Sequence, residues 1–287
     1  MTITEFAPAK VNLNLHVGPL RADGRHDLSS LIVFAGVGDV VRVAPAARLS
    51  LAITGPFAED LAGEDVERNL VLRAARRLVA RYGVETGAEI TLEKRLPVAS
   101  GVGGGSADAA AALRALIRLW RLRPGANALD ALAFGLGADV PVCLRSRTCC
   151  MEGAGERLRA AAVPPVHIAL ANPRVATPTG PVFRAFDRAT PNPPPPATPP
   201  APRGSLAALA DFMAATRNDL QAPAIGQAPV VREVIETLAA APGALAARMS
   251  GSGATCFALF PDAASAARAA RRAGARGWWS ASAPLVR

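Results

Sequence analysis

Seven consecutive residues, Ser100 to Ser106, hold four glycines and two serines, and an alanine-rich run follows at once. Glycine lacks a Cβ, so a backbone rich in it reaches left-handed conformations and comes close to a ligand. Its N–H groups can converge into a concave nest for an anion, and a helix N-terminus just beyond adds partial positive charge. Phosphate binding is the chemistry this pattern supports. It is not a Walker A loop, because no Gly-Lys-Ser/Thr follows the glycines. Nor is it a dinucleotide fingerprint: the glycine spacing is wrong, and no acidic residue closes a second strand about 20 positions on. A glycine turn without a ligand is the competing reading. Ser106 falls where an N-cap belongs and Asp108 in the first turn of the helix it opens.

Two charged residues stand out beside this loop. Lys10 and Lys94 are the only lysines among 32 basic side chains. A chain that otherwise uses arginine and keeps a lysine points to a need for a compact ammonium. Lys94 weakens that argument, because it sits in an ordinary strand pattern. Asp139 is a lone carboxylate before the apolar, strand-like run Val140 to Leu144, where capping or turning the chain is the ordinary role. Ser250-Gly-Ser-Gly253 is a third glycine turn, of a kind that commonly leads into a strand.

The elements that must carry these residues follow from periodicity. Phe6 to Val17 alternates as a strand, with Lys10, Asn12, Asn14 and His16 on its polar side; for Asn14 and His16 a solvated face is the expectation. Asp23-Gly24 marks a turn. Strands are expected at 28–35, 39–43, 49–54 and 88–92, the last delivering the glycine loop, with amphipathic helices at 69–82 and 107–122. A helix at 130–136 and a hairpin at 151–156 follow. Beyond residue 166 the pattern is strand, helix, strand, helix, with strand 256–260 and a last helix 263–273, which fits helices on an antiparallel sheet. Thr190 to Pro202 is proline-rich and reads as a surface loop. The expected class is α+β, with domains at 1–162 and 163–287 and the functional site in the cleft between them.

Composition narrows the function. The 287 residues are 51% hydrophobic and 19% charged, which suits a globular chain with a substantial core. No secretory signal or membrane-length apolar run is visible, so the cytosol is the expected compartment. Four cysteines and three histidines show no metal-ligand spacing. A net charge of +9 invites a nucleic-acid partner, but aromatics are 5% and do not interleave with the arginines. An anionic small molecule suits the charge, and neither nucleic acid nor membrane is expected as a partner.

Three blocks in order, Pro8-Ala-Lys-Val-Asn-Leu13, Pro97 to Ala110 and Ser250-Gly-Ser-Gly-Ala-Thr255, resemble the GHMP kinase superfamily of small-molecule kinases. Arg21-Ala-Asp-Gly-Arg-His-Asp-Leu28, with Gly137-Ala-Asp-Val-Pro-Val142 and Glu152-Gly-Ala-Gly-Glu156, is similar to the branch that phosphorylates a methylerythritol carried on cytidine diphosphate. The resemblance covers residues 7 to about 260. It implies a two-domain fold, an N-terminal ATP-binding β/α domain and a C-terminal ferredoxin-like substrate domain, with ATP and Mg2+ as cofactors and a monomer or homodimer. Homoserine or phosphomevalonate kinases of the same superfamily are the nearest alternative, and a non-catalytic basic module that binds RNA or protein is a remoter one.

Carried onto this sequence, the resemblance makes Asp139 the general base and Lys10 the ammonium that keeps it ionised. Pro97, Val98, Ala99, Ser100, Gly101, Val102, Gly103, Gly104, Gly105, Ser106 and Ala107 would wrap the ATP phosphates, with Ser106 toward the metal. Asn12, His26, Thr177 and Phe183 would line the substrate pocket, His26 reading the cytosine edge and Phe183 stacking on the ring. Two departures stand out: Arg25 replaces the family's usual tyrosine, and Ala107 the second serine of the glycine block. A guanidinium plane at Arg25 can still stack on a base.

Overall fold

The computed structural model describes residues 1–286. They form two compact units that share the chain in alternation. One holds Met1–Ala9, Gly38–Val98 and Gly103–Ser146, the other Lys10–Val37, Ala99–Val102 and the chain from Arg147 onward. Strand β1 (Ile3–Asn12) and the 21-residue β3 (His26–Ala46) each contribute to both.

In the first unit the second half of β3 pairs antiparallel with β5 (Gly87–Glu93), from Val40 opposite Glu93 to Ala46 opposite Gly87. Strand β4 (Ser50–Thr54) lies parallel to β5 on its other side. Helix α1 (Leu70–Tyr82) starts where the Asn69 side chain accepts from Val71 N–H, and stops at Gly83 in a left-handed conformation. It buries Val71, Leu72, Ala74, Ala75 and Leu78, and packs on α2 (Gly104–Leu119). The alanines on the buried face of α2 let the two backbones approach. Helix α3 (Ala126–Leu136) follows, and then the run expected as strand-like forms the short helix α4 (Val140–Arg145). Pro141 explains the difference: in a helix's first turn its missing N–H costs nothing and its fixed φ fits.

In the second unit the first half of β3 pairs with β2 (His16–Leu20) and β6 (Cys149–Gly153), and β6 turns back into β7 (Arg157–Ala160). A second sheet, wholly antiparallel, has the order β11 (Trp279–Pro284), β8 (His167–Asn172), β10 (Cys256–Phe260), β9 (Ala246–Met249). Helices α8 (Val230–Ala239) and α9 (Ala263–Gly274) pack on it over a core that includes Val231, Val234, Leu238, Phe260 and Ala269. Helices α5 (Thr179–Ala189), α6 (Leu206–Ala215) and α7 (Gln221–Gln227) complete the unit. Among the described residues, no helix is long and apolar enough to cross a membrane.

Two further expectations change. The polar row of the first strand is not solvated: Asn14 and His16 are buried, as are Lys10 and Asn12, and β1 ends at Asn12 before β2 resumes at His16. Hydrogen bonds inside the fold replace water there; Asn14 Oδ1 accepts from Leu31 N–H at 2.7 Å. The strands read at 28–35 and 39–43 are one continuous β3, because its glycines serve close approach and not a turn. A methyl group on Gly38 would overlap the Ala7 carbonyl. Gly38→Ala is therefore expected to cost about 1–3 kcal/mol through overpacking, read as a lowered melting temperature; an unchanged melting temperature would contradict this account of the strand.

Candidate functional site

Three stretches far apart in sequence meet inside the second unit. Lys10 N–H donates to the Val102 carbonyl at 2.9 Å, and Asn12 N–H to Ser250 Oγ at 3.1 Å. Ser250 Oγ in turn donates to the Gly101 carbonyl at 3.0 Å, while Thr255 N–H donates to the Ser100 carbonyl at 3.0 Å. The end of β1, the Ala99–Val102 loop and the Ser250–Thr255 turn are thus joined by two main-chain hydrogen bonds and by the Ser250 hydroxyl, which bridges Asn12 N–H and the Gly101 carbonyl. Gly101 lies at φ +76°, and a methyl group there would fall 2.5 Å from the Ser250 carbonyl oxygen and 2.6 Å from that of Gly253. Only glycine fits.

Around this junction three buried polar atoms have no hydrogen-bond partner among the described residues: Asn12 Oδ1, Ser100 Oγ and Thr177 Oγ1. A methyl on Gly251 would lie 3.6 Å from the first, and one on Gly253 3.3 Å from the last. Buried polar groups are normally satisfied, so orphans bordering one glycine turn suit a ligand with donors and acceptors of its own.

The rest of the glycine run belongs to the first unit. Pro97 is buried and Val98 partly exposed. Helix α2 is capped by Gly103 at φ 64°, not by Ser106 as its residue type suggests, and no side chain caps it. Ser106, partly exposed, sits in the first turn beside Gly104 and Gly105, while Ala107 is buried. This first turn offers main-chain N–H groups and a positive dipole end to an anion. Asp139 occupies the N-cap position of α4 without spending its side chain on a capping bond. Arg114 of α2 holds the far end of α4 by donating to the Cys143 and Leu144 carbonyls at 3.1 and 3.4 Å.

Of the residues expected to line a substrate pocket, His26 and Phe183 stack with centroids 5.2 Å apart and planes 23° from parallel. His26 is buried; its Nδ1 lies 2.9 Å from the Gly18 carbonyl and its Nε2 3.1 Å from Asp187 Oδ1. Arg25 is exposed on the β2–β3 turn, its N–H bonded to Asp23. Asn12 Nδ2 donates to Ser30 Oγ at 2.8 Å, and Thr177 is buried.

Comparison with known proteins bears on this assembly. The GHMP kinases N terminal domain matches residues 69–147, and the GHMP kinases C terminal domain matches residues 199–277. The chain belongs to the GHMP kinases. It is 57% identical to a 4-diphosphocytidyl-2-C-methyl-D-erythritol kinase of Cereibacter sphaeroides, over 96% of each chain. A protein of the same name from Hyphomonas neptunium is 49% identical, over 99% of this chain and 97% of the relative. Among solved structures, a 4-(cytidine 5'-diphospho)-2C-methyl-D-erythritol kinase superposes with a TM-score of 0.79 at 35% identity, covering 99% of both chains. A homoserine kinase from Cytophaga hutchinsonii, with a TM-score of 0.73 at 19% identity, shares the fold.

One feature of this GHMP kinase is invisible in the strand pattern around Lys94. Lys94 is buried, with Nζ 2.6 Å from Asp39 Oδ2 and 2.9 Å from Asp108 Oδ2. Asp39 Oδ1 accepts from the N–H groups of Arg95 and Leu96, at 2.5 and 2.8 Å, and so fixes the entry to the glycine loop. Asp108 pins α2 one turn beyond Gly104, whose own Cβ position lies 3.3 Å from Lys94 Nζ. The ammonium therefore fastens both ends of the run from Arg95 to Asp108. Arg248 is a second missed anchor: it donates to the carbonyls of Leu13, Met213 and Thr216, and burial lowers its pKa to about 10.

Burial pushes the Asp108 carboxyl up to about 8; Lys94 opposes this and Asp39 adds to it. Burial also works against the Lys94 ammonium, but the Asp108 and Asp39 charges outweigh it and raise its pKa. With Asp108 protonated, the dry interior holds one anionic group fewer beside the Lys94 ammonium. Between the ordinary carboxyl value of 3.8 and about 8, the folded chain keeps a proton that the unfolded chain has released. This contribution to stability is therefore full below the lower value and lost as pH rises through the upper one. Asp108→Asn, followed by thermal melting from pH 5 to 8.5, is expected to lose less stability with rising pH than the parent protein. Parallel melting curves would mean that Asp108 is ionised throughout.

Proposed function

We propose that this GHMP kinase transfers the terminal phosphoryl group of ATP to the 2-hydroxyl of 4-diphosphocytidyl-2-C-methylerythritol. The observation that carries the reading is near-full-length identity of 49–57% to relatives bearing that kinase name, joined to the convergence of Lys10, Gly101 and Ser250. The homoserine kinase match, at 19% identity, speaks only for the fold.

In this reading Ala99–Val102 and the first turn of α2 hold the nucleotide phosphates. Asp139 accepts the proton of the substrate hydroxyl as its oxygen bonds to the γ-phosphorus and the bond to the ADP oxygen breaks. Lys10 offsets charge at the transferring group; such reactions are driven by positioning and charge stabilisation. Among the described residues no three His, Cys, Asp or Glu side chains gather around one point. Magnesium in kinases is held largely by phosphate oxygens and water, and Ser106 is the hydroxyl this reading assigns to that shell. Bound magnesium would neutralise phosphate charge.

Asn12 Oδ1 and Thr177 Oγ1, buried and unpartnered, are suited to the sugar-alcohol hydroxyls. Phe183 and the Arg25 guanidinium offer planes for cytosine. Reading of the base by the His26 ring requires the cytosine to take the place of Asp187 at Nε2, an exchange open to a carboxylate whose side chain is 42% exposed.

Magnesium-dependent ADP release should appear with the cytidyl substrate and not with homoserine or phosphomevalonate. Asp139→Asn should lower kcat about 100- to 10,000-fold, the usual contribution of a general base, with little change in the KM for ATP. Turnover of homoserine or phosphomevalonate in its place would reject the substrate; an Asp139→Asn variant with full kcat would reject the base.

A further inference from the structure

The proline-rich stretch after α5 was expected as a surface loop, and it contains no helix or strand. It is nevertheless tied down at three consecutive residues, all to the β2–β3 hairpin. Pro196 packs on Gly18 so closely that a methyl there would lie 2.5 Å from the proline Cδ. The Ala197 carbonyl lies 2.9 Å from His16 Nδ1, and Thr198 Oγ1 accepts from Ser29 Oγ at 3.2 Å. His16 and Ser29 are directly opposite each other across β2 and β3. Four successive prolines, Pro193 to Pro196, stiffen the approach to these anchors.

Both ends of this arrangement bear on one side chain. Gly18, covered by Pro196, is the residue whose carbonyl faces His26 Nδ1. Helix α5, from which the stretch emerges, supplies the other neighbours of His26: Phe183 stacked on the ring, Phe186 at its edge 6.1 Å away, and Asp187 at Nε2. The stretch therefore closes a loop around His26, linking the helix on one side of the ring to the glycine on the other.

We propose that Pro191–Pro202 is a strap that positions His26, and through it sets the affinity for the cytidine end of the substrate. The proposal rests on the reading of His26 as a substrate-facing residue. The strap touches no reacting atom. It holds Gly18, and Gly18 holds the ring.

The test uses the full chain. Gly18→Ala sets a methyl against Pro196 and should lift the strap; replacing Pro193–Pro196 with Gly-Ser-Gly-Ser should slacken it. Each is expected to raise the KM for the cytidyl substrate about tenfold, since small misplacements of positioning groups are costly, while the KM for ATP and the kcat stay nearly constant. Adding Pro196→Ala to Gly18→Ala removes the opposing ring and should restore the KM. In parallel, the His26 imidazole 1H–15N signals, read without substrate, should shift in both variants and return in the double variant. Unmoved His26 signals would overturn the strap whatever the substrate proves to be. A KM for ATP that rises in step with the other would also overturn it, as general loosening. Shifted and rescued signals without turnover of the cytidyl substrate would keep the strap and reject the functional reading.

Discussion

Where Gly101 passes Ser250 and Gly253, two stretches of main chain approach so closely that no β-carbon fits at position 101. The arrangement of Lys10, Asn12, Ser100 and Ser250 within the second unit depends on that approach. It brings the Ser100 and Gly101 carbonyls within reach of Thr255 N–H and the Ser250 hydroxyl, and lets Ser250 also take Asn12 N–H. Val102 is then in place to receive Lys10 N–H. One β-carbon at position 101 would push the three apart. The four hydrogen bonds are ordinary in strength, each on the order of 1 kcal/mol net; their value is that they fix register.

The first unit solves a different problem, that of holding a glycine-rich helix start rigid. Glycines at 103, 104 and 105 leave the opening of α2 with almost no side chains to pack, and backbone entropy favours fraying. The Lys94 cluster answers this from beneath. An ammonium held between two buried acidic side chains cannot be pulled away without stranding a charge, a step that costs several kcal/mol. The alanine face of α2 does the remaining work by packing against α1.

Much of this was legible in the sequence, and the limits have physical causes. Helix α1 shows a clear period of 3.6 residues and β10 is a short apolar run that follows a glycine turn, and each was expected within a residue of its bounds. The glycine blocks were legible because close main-chain approach leaves a compositional trace. Lys94 was not: its partners Asp39 and Asp108 lie 55 and 14 positions away, and nothing local marks a strand lysine as buried. Asn14 and His16 misled for the same reason, since alternation shows which residues share a face and not whether water reaches it. In α4, β-favouring residues outvoted a proline whose meaning depends on its helical position. The proline strap gave a true local signal, absence of regular structure, while its anchors at Gly18, His16 and Ser29 exist only in three dimensions.

The most direct test of the central claim is the affinity for ATP with magnesium, measured by titration calorimetry on the parent protein, Gly101→Ala and Asp139→Asn, each checked for native circular dichroism. If the Gly101 junction shapes the phosphate cradle, Gly101→Ala should bind ATP at least about tenfold more weakly, while Asp139→Asn, which alters only the proton acceptor, should bind it nearly as the parent does. Unchanged ATP affinity in a folded Gly101→Ala protein would contradict the account.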